Sequence, residues 1–230
     1  GLRYKRGRLG LWVAAEGQVY NYDPVVHSKP SFKPPPSWRR IRVIDFGFTN
    51  PFVCQWWAID PDGRMILYRE IYMTRRTVKV FAKQINELSA GERIEATIAD
   101  HDAEDRATLA ENGIDTIKAD KRIKTGIEKV EERLQVAKDG KSRLFIVPDC
   151  LVERDESLKE AFQPVCTEEE FNSYTYPIGV SGKPNKELPV DMYNHGMDAM
   201  RYAVMYVDGS KQTVTSSSGV SREQLAEVFG

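Results

Sequence analysis

Cysteine is scarce in this chain. There are three in 230 residues, Cys54, Cys150 and Cys166, far apart and without a CxxC pair. That spacing excludes a zinc knuckle or a disulfide framework and reads as reduced structural thiols of a cytoplasmic protein. No run of about 18 apolar residues occurs, so nothing reads as a membrane span. The N-terminus has no signal-peptide pattern. An excess of one charge is also missing, with 33 Lys and Arg against 34 Asp and Glu. A formal net charge of -1 says little about partners, because local patches matter more than the sum. No internal repeat is visible. Gly140-Lys141-Ser142 resembles the end of a P-loop, but the position five residues before Gly140 is Gln135 and no strand closely precedes it. An ATPase motif is therefore excluded from this chain.

An apolar content of 41% and a charged content of 29% are those of a globular protein. The length suits one large domain, or one domain with appendages, and can bury a sizeable core. Residues 1–40 read as a lead-in that packs on the domain or as the tail of something upstream. Gly10-Leu11-Trp12-Val13 and Gln18-Val19-Tyr20 suit short strands, and Lys33-Pro34-Pro35-Pro36-Ser37-Trp38 a stiff extended segment. From residue 41 the pattern is regular. Residues 41–45, 52–59 and 64–72 read as three consecutive strands, the last two joined by the turn Asp60-Pro61-Asp62-Gly63. Val78, Phe81, Ile85 and Leu88 recur at helical spacing, then 94–99 reads as a strand and 103–112 as a helix stopped by Gly113. A short strand at 114–117 precedes a helix lined by Ile127, Val130, Leu134 and Ala137, and 143–147 is a further strand. Residues 149–190 look irregular, with a hairpin around Ser181-Gly182-Lys183-Pro184. A helix over 195–207 has Asn194 as its cap and Met197, Met200, Val204 and Val207 as its buried stripe. Residues 209–230 read as a Ser/Thr/Gly-rich linker and a short helix opened by Ser221-Arg222-Glu223-Gln224. The order predicts an α/β fold, a mixed sheet of three antiparallel strands and then parallel strands, with helices on both faces.

Three aspartates stand at the ends of these elements. Asp45 ends the first strand and precedes Phe46-Gly47. Asp100 ends the strand over 94–99, and Asp198 lies in the last helix. If the two strands are parallel neighbours, both carboxylates emerge together, where ligands collect in open α/β sheets. Carboxylates so gathered repel one another unless a cation lies between them, which points to metal-assisted phosphodiester cleavage. Plainer readings stand beside this one. Asp45 suits a strand-ending turn, and Asp198 can pair with Arg201 at i+3, although a charge among Met197, Ala199 and Met200 needs a metal or a buried partner. Asp102 suits the N-cap of the helix that Glu104 and Asp105 begin. His195 reads as a polar residue near a helix start or a catalytic one, and Glu70 as structural or as support behind the ligands. Residues 118–143 carry nine basic against five acidic residues, by default a solvated helix face. Lys118, Lys121, Arg122 and Lys124 cluster before the helix, where contact with phosphate is best placed.

From about Trp12 to Val207 the chain resembles the C-terminal nuclease domain of the phage terminase large subunit, the DNA-packaging motor of tailed phages. The likeness rests on Trp38, Ile44-Asp45-Phe46-Gly47-Phe48-Thr49-Asn50-Pro51, Trp57-Ala58-Ile59-Asp60 and Tyr68-Arg69-Glu70-Ile71-Tyr72. It continues through Ala99-Asp100, Asn112-Gly113-Ile114 and Lys124-Thr125-Gly126-Ile127 to His195-Gly196-Met197-Asp198-Ala199-Met200-Arg201-Tyr202-Ala203, the most specific motif. The resemblance implies an RNase H-like domain over 41–208 and a metal-dependent endonuclease that cuts double-stranded concatemeric DNA at packaging. It carries ligand roles to Asp45, Asp100 and Asp198, with Asp102 a possible sharer of the site. Two-metal hydrolysis would use two Mg²⁺ or Mn²⁺ ions about 3.5–4 Å apart, Asp45 bridging them. The resemblance further implies an ATPase domain before residues 1–40 in the full-length protein, portal protein and small terminase subunit as partners, and the host cytoplasm as location. The alternatives are another RNase H-like enzyme (a resolvase, transposase or exonuclease) and a non-enzymatic DNA-binding module.

Overall fold

The computed structural model describes residues 17–179, 183–185 and 187–216, with side chains as far as Gly209. Among its described residues the lead-in holds one short helix, α1 (Pro24–His27), capped by Asp23. Of the strands expected there, Gln18 forms a single bridge to Thr175 while Val19 and Tyr20 are buried, and 10–13 lie outside the described residues. β1 (Arg39–Asp45), β2 (Phe52–Ile59) and β3 (Met65–Met73) then run antiparallel, Ile41 facing Trp57 and Cys54 facing Ile71. The turn between β2 and β3 is closed by Gly63 N–H on Asp60 O at 2.9 Å, with Gly63 at a φ of 78° that its missing Cβ allows.

α2 (Val78–Leu88) leads to β4 (Ala96–Ala99), parallel to β1. α3 (Ala103–Glu111) leads to β5 (Ile117–Lys118), parallel to β4. α4 (Ile123–Leu134) precedes β6 (Leu144–Ile146), which lies parallel to β3. The sheet order is β5-β4-β1-β2-β3-β6. Two short helices follow, α5 (Glu156–Glu160) and α6 (Thr167–Glu170), inside the stretch expected to be irregular, and then α7 (His195–Ser216). The expected mixed sheet with helices on both faces is what forms. Ile41, Val43 and Ile98 pack with α4 and α7 on one face, while Ile44, Trp56 and Ala99 pack with Phe81, Ala82 and Ile85 of α2 and Leu109 of α3 on the other. Covered on both sides, β2 is buried along its whole length rather than alternating.

Several boundaries differ from expectation. α4 ends at Leu134, and Ala137 instead bonds Lys141 O in a turn. The strand over 114–117 shrinks to two residues, because Ile114 is used as a core side chain beneath α3. The greatest difference is at the C-terminal end. α7 continues to Ser216, into the stretch read as linker from its small polar residues, because adding residues to an existing, well-packed helix costs little. Ser221–Gln224 lie outside the described residues, as does the tip of the expected hairpin, whose two arms are joined by the bridge between Ile178 and Pro184 and by Gly179 N–H on Lys183 O and Asn185 N–H on Pro177 O, each at 2.8 Å.

Candidate active site

Alternation along the strands decides which face each acid meets. Ile41 and Val43 point towards α7, so Asp45, two residues on, does too. Ile98 points the same way, so Asp100 follows. Ile44 pairs with Ala99, and Asp100 N–H donates to Ile44 O at 3.1 Å, so the two aspartates leave adjacent parallel strands at the same level. Neighbouring strands lie about 4.8 Å apart. α7 packs across β1, β2 and β4 on this face. His195, Asp198 and Tyr202 recur on one side of it at i, i+3 and i+7. His195 Nδ1 lies 3.0 Å from Asp45 Oδ2. The three expected acids therefore converge, and each disturbs its neighbours. Burial and then the fields of Asp45, Asp198 and Asp100 raise the pKa of the buried Tyr202 hydroxyl. That hydroxyl has no hydrogen-bond partner among the described residues.

Burial is the largest influence on Asp45 and pushes its carboxyl up to about 6. Repulsion from Asp198 and Asp100 adds to that, and the His195 hydrogen bond opposes it. Burial likewise raises Asp198 against the pull of Arg201. For His195, burial disfavours the cation, but the hydrogen bond and the charges of Asp45, Glu170 and Asp198 together raise its pKa. With the imidazolium formed, Nδ1–H donates to Asp45. The other two acids have cations of their own. Lys121 Nζ is 2.7 Å from Asp100 Oδ1, and Arg201 Nη1 is 2.5 Å from Asp198 Oδ1. Among the described residues no group of three or more His, Cys, Asp or Glu is arranged to hold a metal ion. Asp100 and Asp198 are drawn towards these side chains instead. The donor set itself fits a divalent cation: hard carboxylate oxygens from three elements, two of them with proton affinities raised by burial and mutual repulsion that such a cation would reverse.

The start of α7 is held from outside its own sequence. Asn194 is the expected cap, but its side-chain amide donates to Asp191 at 3.1 Å. The free N–H groups of Gly196 and Met197 donate instead to the buried carboxylate of Glu170, at 3.1 and 2.8 Å, and Tyr72 Oη donates to the same group at 2.6 Å. Glu70, expected to be structural or a support to the ligands, joins a second buried network. It accepts from Thr167 N and Oγ1, while Gln55 Nε2 donates to Thr167 Oγ1 and to Gly196 O. Both networks fix the helix turn that carries His195 and Asp198. Sequence reading missed Glu170, Thr167, Gln55 and Tyr72 in this role. Glu170 ends an acidic run that looks like surface, and its partners are distant in sequence.

The remaining expected residues divide. Asp102 is the N-cap of α3, accepting from Asp105 N at 2.9 Å, the plainer of its two readings. Lys118, Lys121, Arg122 and Lys124 are all exposed. Lys121 is committed to Asp100, and Arg122 to Asp120 at 2.6 Å.

No protein-family model matches the chain, and no curated protein matches it either. Solved structures do. The large terminase of a thermophilic bacteriophage, in complex with ADP, superposes with a TM-score of 0.65 at 25% identity over 89% of this chain and 48% of that one. The nuclease domain of the P22 large terminase gives 0.61 at 18% identity over 83% of this chain and 92% of that one. This chain is a structural relative of phage large-terminase nucleases. A third terminase nuclease, from the thermophilic phage G20c with bound cobalt, matches 83% of this chain and 98% of its own at 13% identity and a TM-score of 0.53. The chain spans about half the length of the full-length terminase it matches. The mixed six-stranded sheet is thus the RNase H-like sheet of terminase nucleases.

Proposed function

We propose that this chain is the nuclease domain of a phage large terminase, a divalent-metal-dependent endonuclease that cleaves double-stranded concatemeric DNA during genome packaging. One observation carries the reading: Asp45 and Asp100 leave adjacent parallel strands on the face that α7 covers, where Asp198 and His195 meet them. Asp45, Asp100 and Asp198 would hold Mg²⁺ or Mn²⁺, which when bound activates water and stabilises the leaving oxygen. The side chains have separable tasks. His195 orients Asp45 through Nδ1 and offsets its buried charge. Arg201, 2% exposed, holds Asp198 in place. Lys121 is 44% exposed, and a pair that open is worth at most about 1 kcal/mol, so Asp100 can leave it for a cation. Lys118, Arg122 and Lys124, exposed on either side in sequence of the Lys121 that reaches Asp100, would meet the DNA backbone. In the full-length protein an ATPase domain would precede residues 1–40, and portal protein and small subunit would be partners in the host cytoplasm. Residues 41–208 would be the catalytic unit.

The test is cleavage of linear, branched and supercoiled DNA in Mn²⁺. Asp45→Asn is expected to abolish cutting of linear and supercoiled duplex without unfolding the chain, and calorimetry should detect Mn²⁺ binding that the variant weakens. Cutting by Asp45→Asn at the wild-type rate would sink the assignment. A preference for branched DNA would point to a resolvase, and no Mn²⁺ binding with or without DNA to a non-enzymatic module.

A further inference from the structure

The loop that follows Asp45 and the segment that precedes α7 enclose a cavity of about 200 Å³, lined among others by Asn50, Gln163, Asp191, Tyr193, Asn194 and His195. His195 belongs to the cavity and to the acid cluster, since its Nδ1 lies 3.0 Å from Asp45 Oδ2. The cavity is therefore one side chain away from Asp45. The sheet fixes the side on which it lies. Tyr72, another lining residue, is on β3, whereas Asp100 follows β4 and Lys118 closes β5. Along the order β5-β4-β1-β2-β3-β6, the cavity and the lysines thus flank Asp45 from opposite sides.

The two sides differ in chemistry. Among the described residues no lysine or arginine lines the cavity, and the carboxylate of Asp191 does. Such walls disfavour a phosphate group. They offer instead the amides of Asn50, Gln163 and Asn194, the ring of Tyr193 and the thioether of Met192. Amides that bond base edges, and aromatic faces that stack on bases, are the usual means of holding a nucleobase outside a helix. Size agrees. A cavity of about 150 Å³ takes up benzene, so this one suits a base and not a whole nucleotide. Two residues here are held in the left-handed region, Tyr193 at a φ of 52° and Phe162, which precedes the lining Gln163, at 57°. Backbone strain of this kind collects at ligand clamps. Phe162 is also 98% exposed, an aromatic ring left to solvent next in sequence to the cavity wall.

We propose that this cavity holds one base of the DNA strand whose phosphate lies on the acids, turned out of the stack. The proposal rests on the nuclease reading above. DNA crossing the acids would run its backbone over Lys118 to Lys124 on one side and set a base against Tyr193 on the other.

The experiment titrates deoxyadenosine, a base and sugar without phosphate, into ¹⁵N-labelled protein in EDTA, with deoxyribose as the control. The side-chain amide resonances of Asn50, Gln163 and Asn194 should shift saturably with the nucleoside and stay in place with the sugar. Tyr193→Ala should weaken binding about tenfold, the loss of one stacked ring, and Tyr193→Phe should bind as the parent does. Tyr193 is half-buried, so its alanine variant is checked by melting. Asn50→Ala, at an exposed position, should melt like the parent and still bind more weakly. A single-stranded oligonucleotide should displace the nucleoside, and an abasic one should not. Two outcomes separate this proposal from the nuclease reading. If Asp45→Asn loses cutting but deoxyadenosine shifts nothing, the base site alone falls. If deoxyadenosine binds as expected but Asp45→Asn cuts like the parent, the nuclease reading falls and takes this proposal with it. Equal affinity in Tyr193→Ala, Asn50→Ala and the parent overturns the proposal as well.

Discussion

Asp198 and Asp100 each sit on a cation, but the two pairs differ in strength. Arg201 is 2% exposed at its side chain, and a cation cut off from water in this way cannot be released cheaply. Removing one partner of a buried pair typically costs about 3–5 kcal/mol, because the other charge is left uncompensated. Arg201→Met should therefore lower stability by that order in urea denaturation. A loss under about 1 kcal/mol would show that Asp198 is solvated or otherwise paired. Lys121→Met should change stability by less than about 1 kcal/mol, in keeping with the openness of its pair. Its effect belongs to ion binding. With its competitor gone, Asp100 should bind Mn²⁺ more tightly in calorimetry, and weaker binding would mean that Lys121 helps to build the site.

At the scale of elements, the first turn of α7 is where position is set. A Cβ at Gly196 would collide with Thr167 Oγ1 and lie 2.9 Å from Thr167 Cα, so α6 and α7 touch backbone to backbone only because residue 196 is glycine. At Gly126 of α4 a Cβ would strike the Arg201 side chain, so the missing side chain there makes room for the arginine that holds Asp198. Gly196→Ala should force α7 away from α6, costing about 1–3 kcal/mol, and should lower cleavage by shifting His195 and Asp198 together. Normal cutting at reduced stability would separate the site from this contact. Glu170→Ala strips the acceptor from two helix N–H groups and from Tyr72. Amide exchange at Gly196 and Met197 should then quicken relative to the middle of α7. Unchanged protection of those two amides would show that water or the helix itself satisfies them.

For the whole molecule the buried acids set a pH dependence. Burial raises Asp45 to about 6, Glu70 to about 7 and Glu170 to about 8, while unfolded carboxyls ionise near pH 4. Between these limits the unfolded chain binds fewer protons than the folded one, so stability falls as the pH rises. Asp155 acts the other way and at lower pH. Despite its own burial, hydrogen bonds from Ser157 and Thr74 hold it at about 2, so its contribution is full above about pH 4 and is lost on acidification towards 2. The unfolding free energy from urea denaturation should therefore be higher near pH 5 than near pH 8, by a difference of the order of several kcal/mol, and the midpoint should fall with it. A midpoint that rises over this range would contradict the burial of these groups. Asp45→Asn should remove the part of the slope between about pH 4 and 6. Mn²⁺, if it binds the folded site alone, should recover stability at the upper end.

Much of the fold was legible in sequence. The all-apolar run of β2, the 3.6-residue recurrence in α2 and the turn at Asp60–Gly63 are local signals, and local signals survive folding. The buried stripe of Met197, Met200, Val204 and Val207 was legible for the same reason, as were the strand-end positions of Asp45 and Asp100, because the side-chain period of a strand is fixed. The reach of α7 to Ser216 was not, since small polar residues weaken the composition signal that a growing helix overrides. Nor could the chain alone reveal that Lys121 would lie on Asp100, that His195 would reach Asp45, or that Glu170 would cap a helix it does not belong to. Those are meetings between residues far apart in sequence, and no periodicity or motif encodes a distance across the sheet. The residues fixed which atoms could act as ligands, donors and caps. The packing of α7 across β1 and β4 decided which of them met, because burial there leaves each charge only the partners that the fold brings within reach.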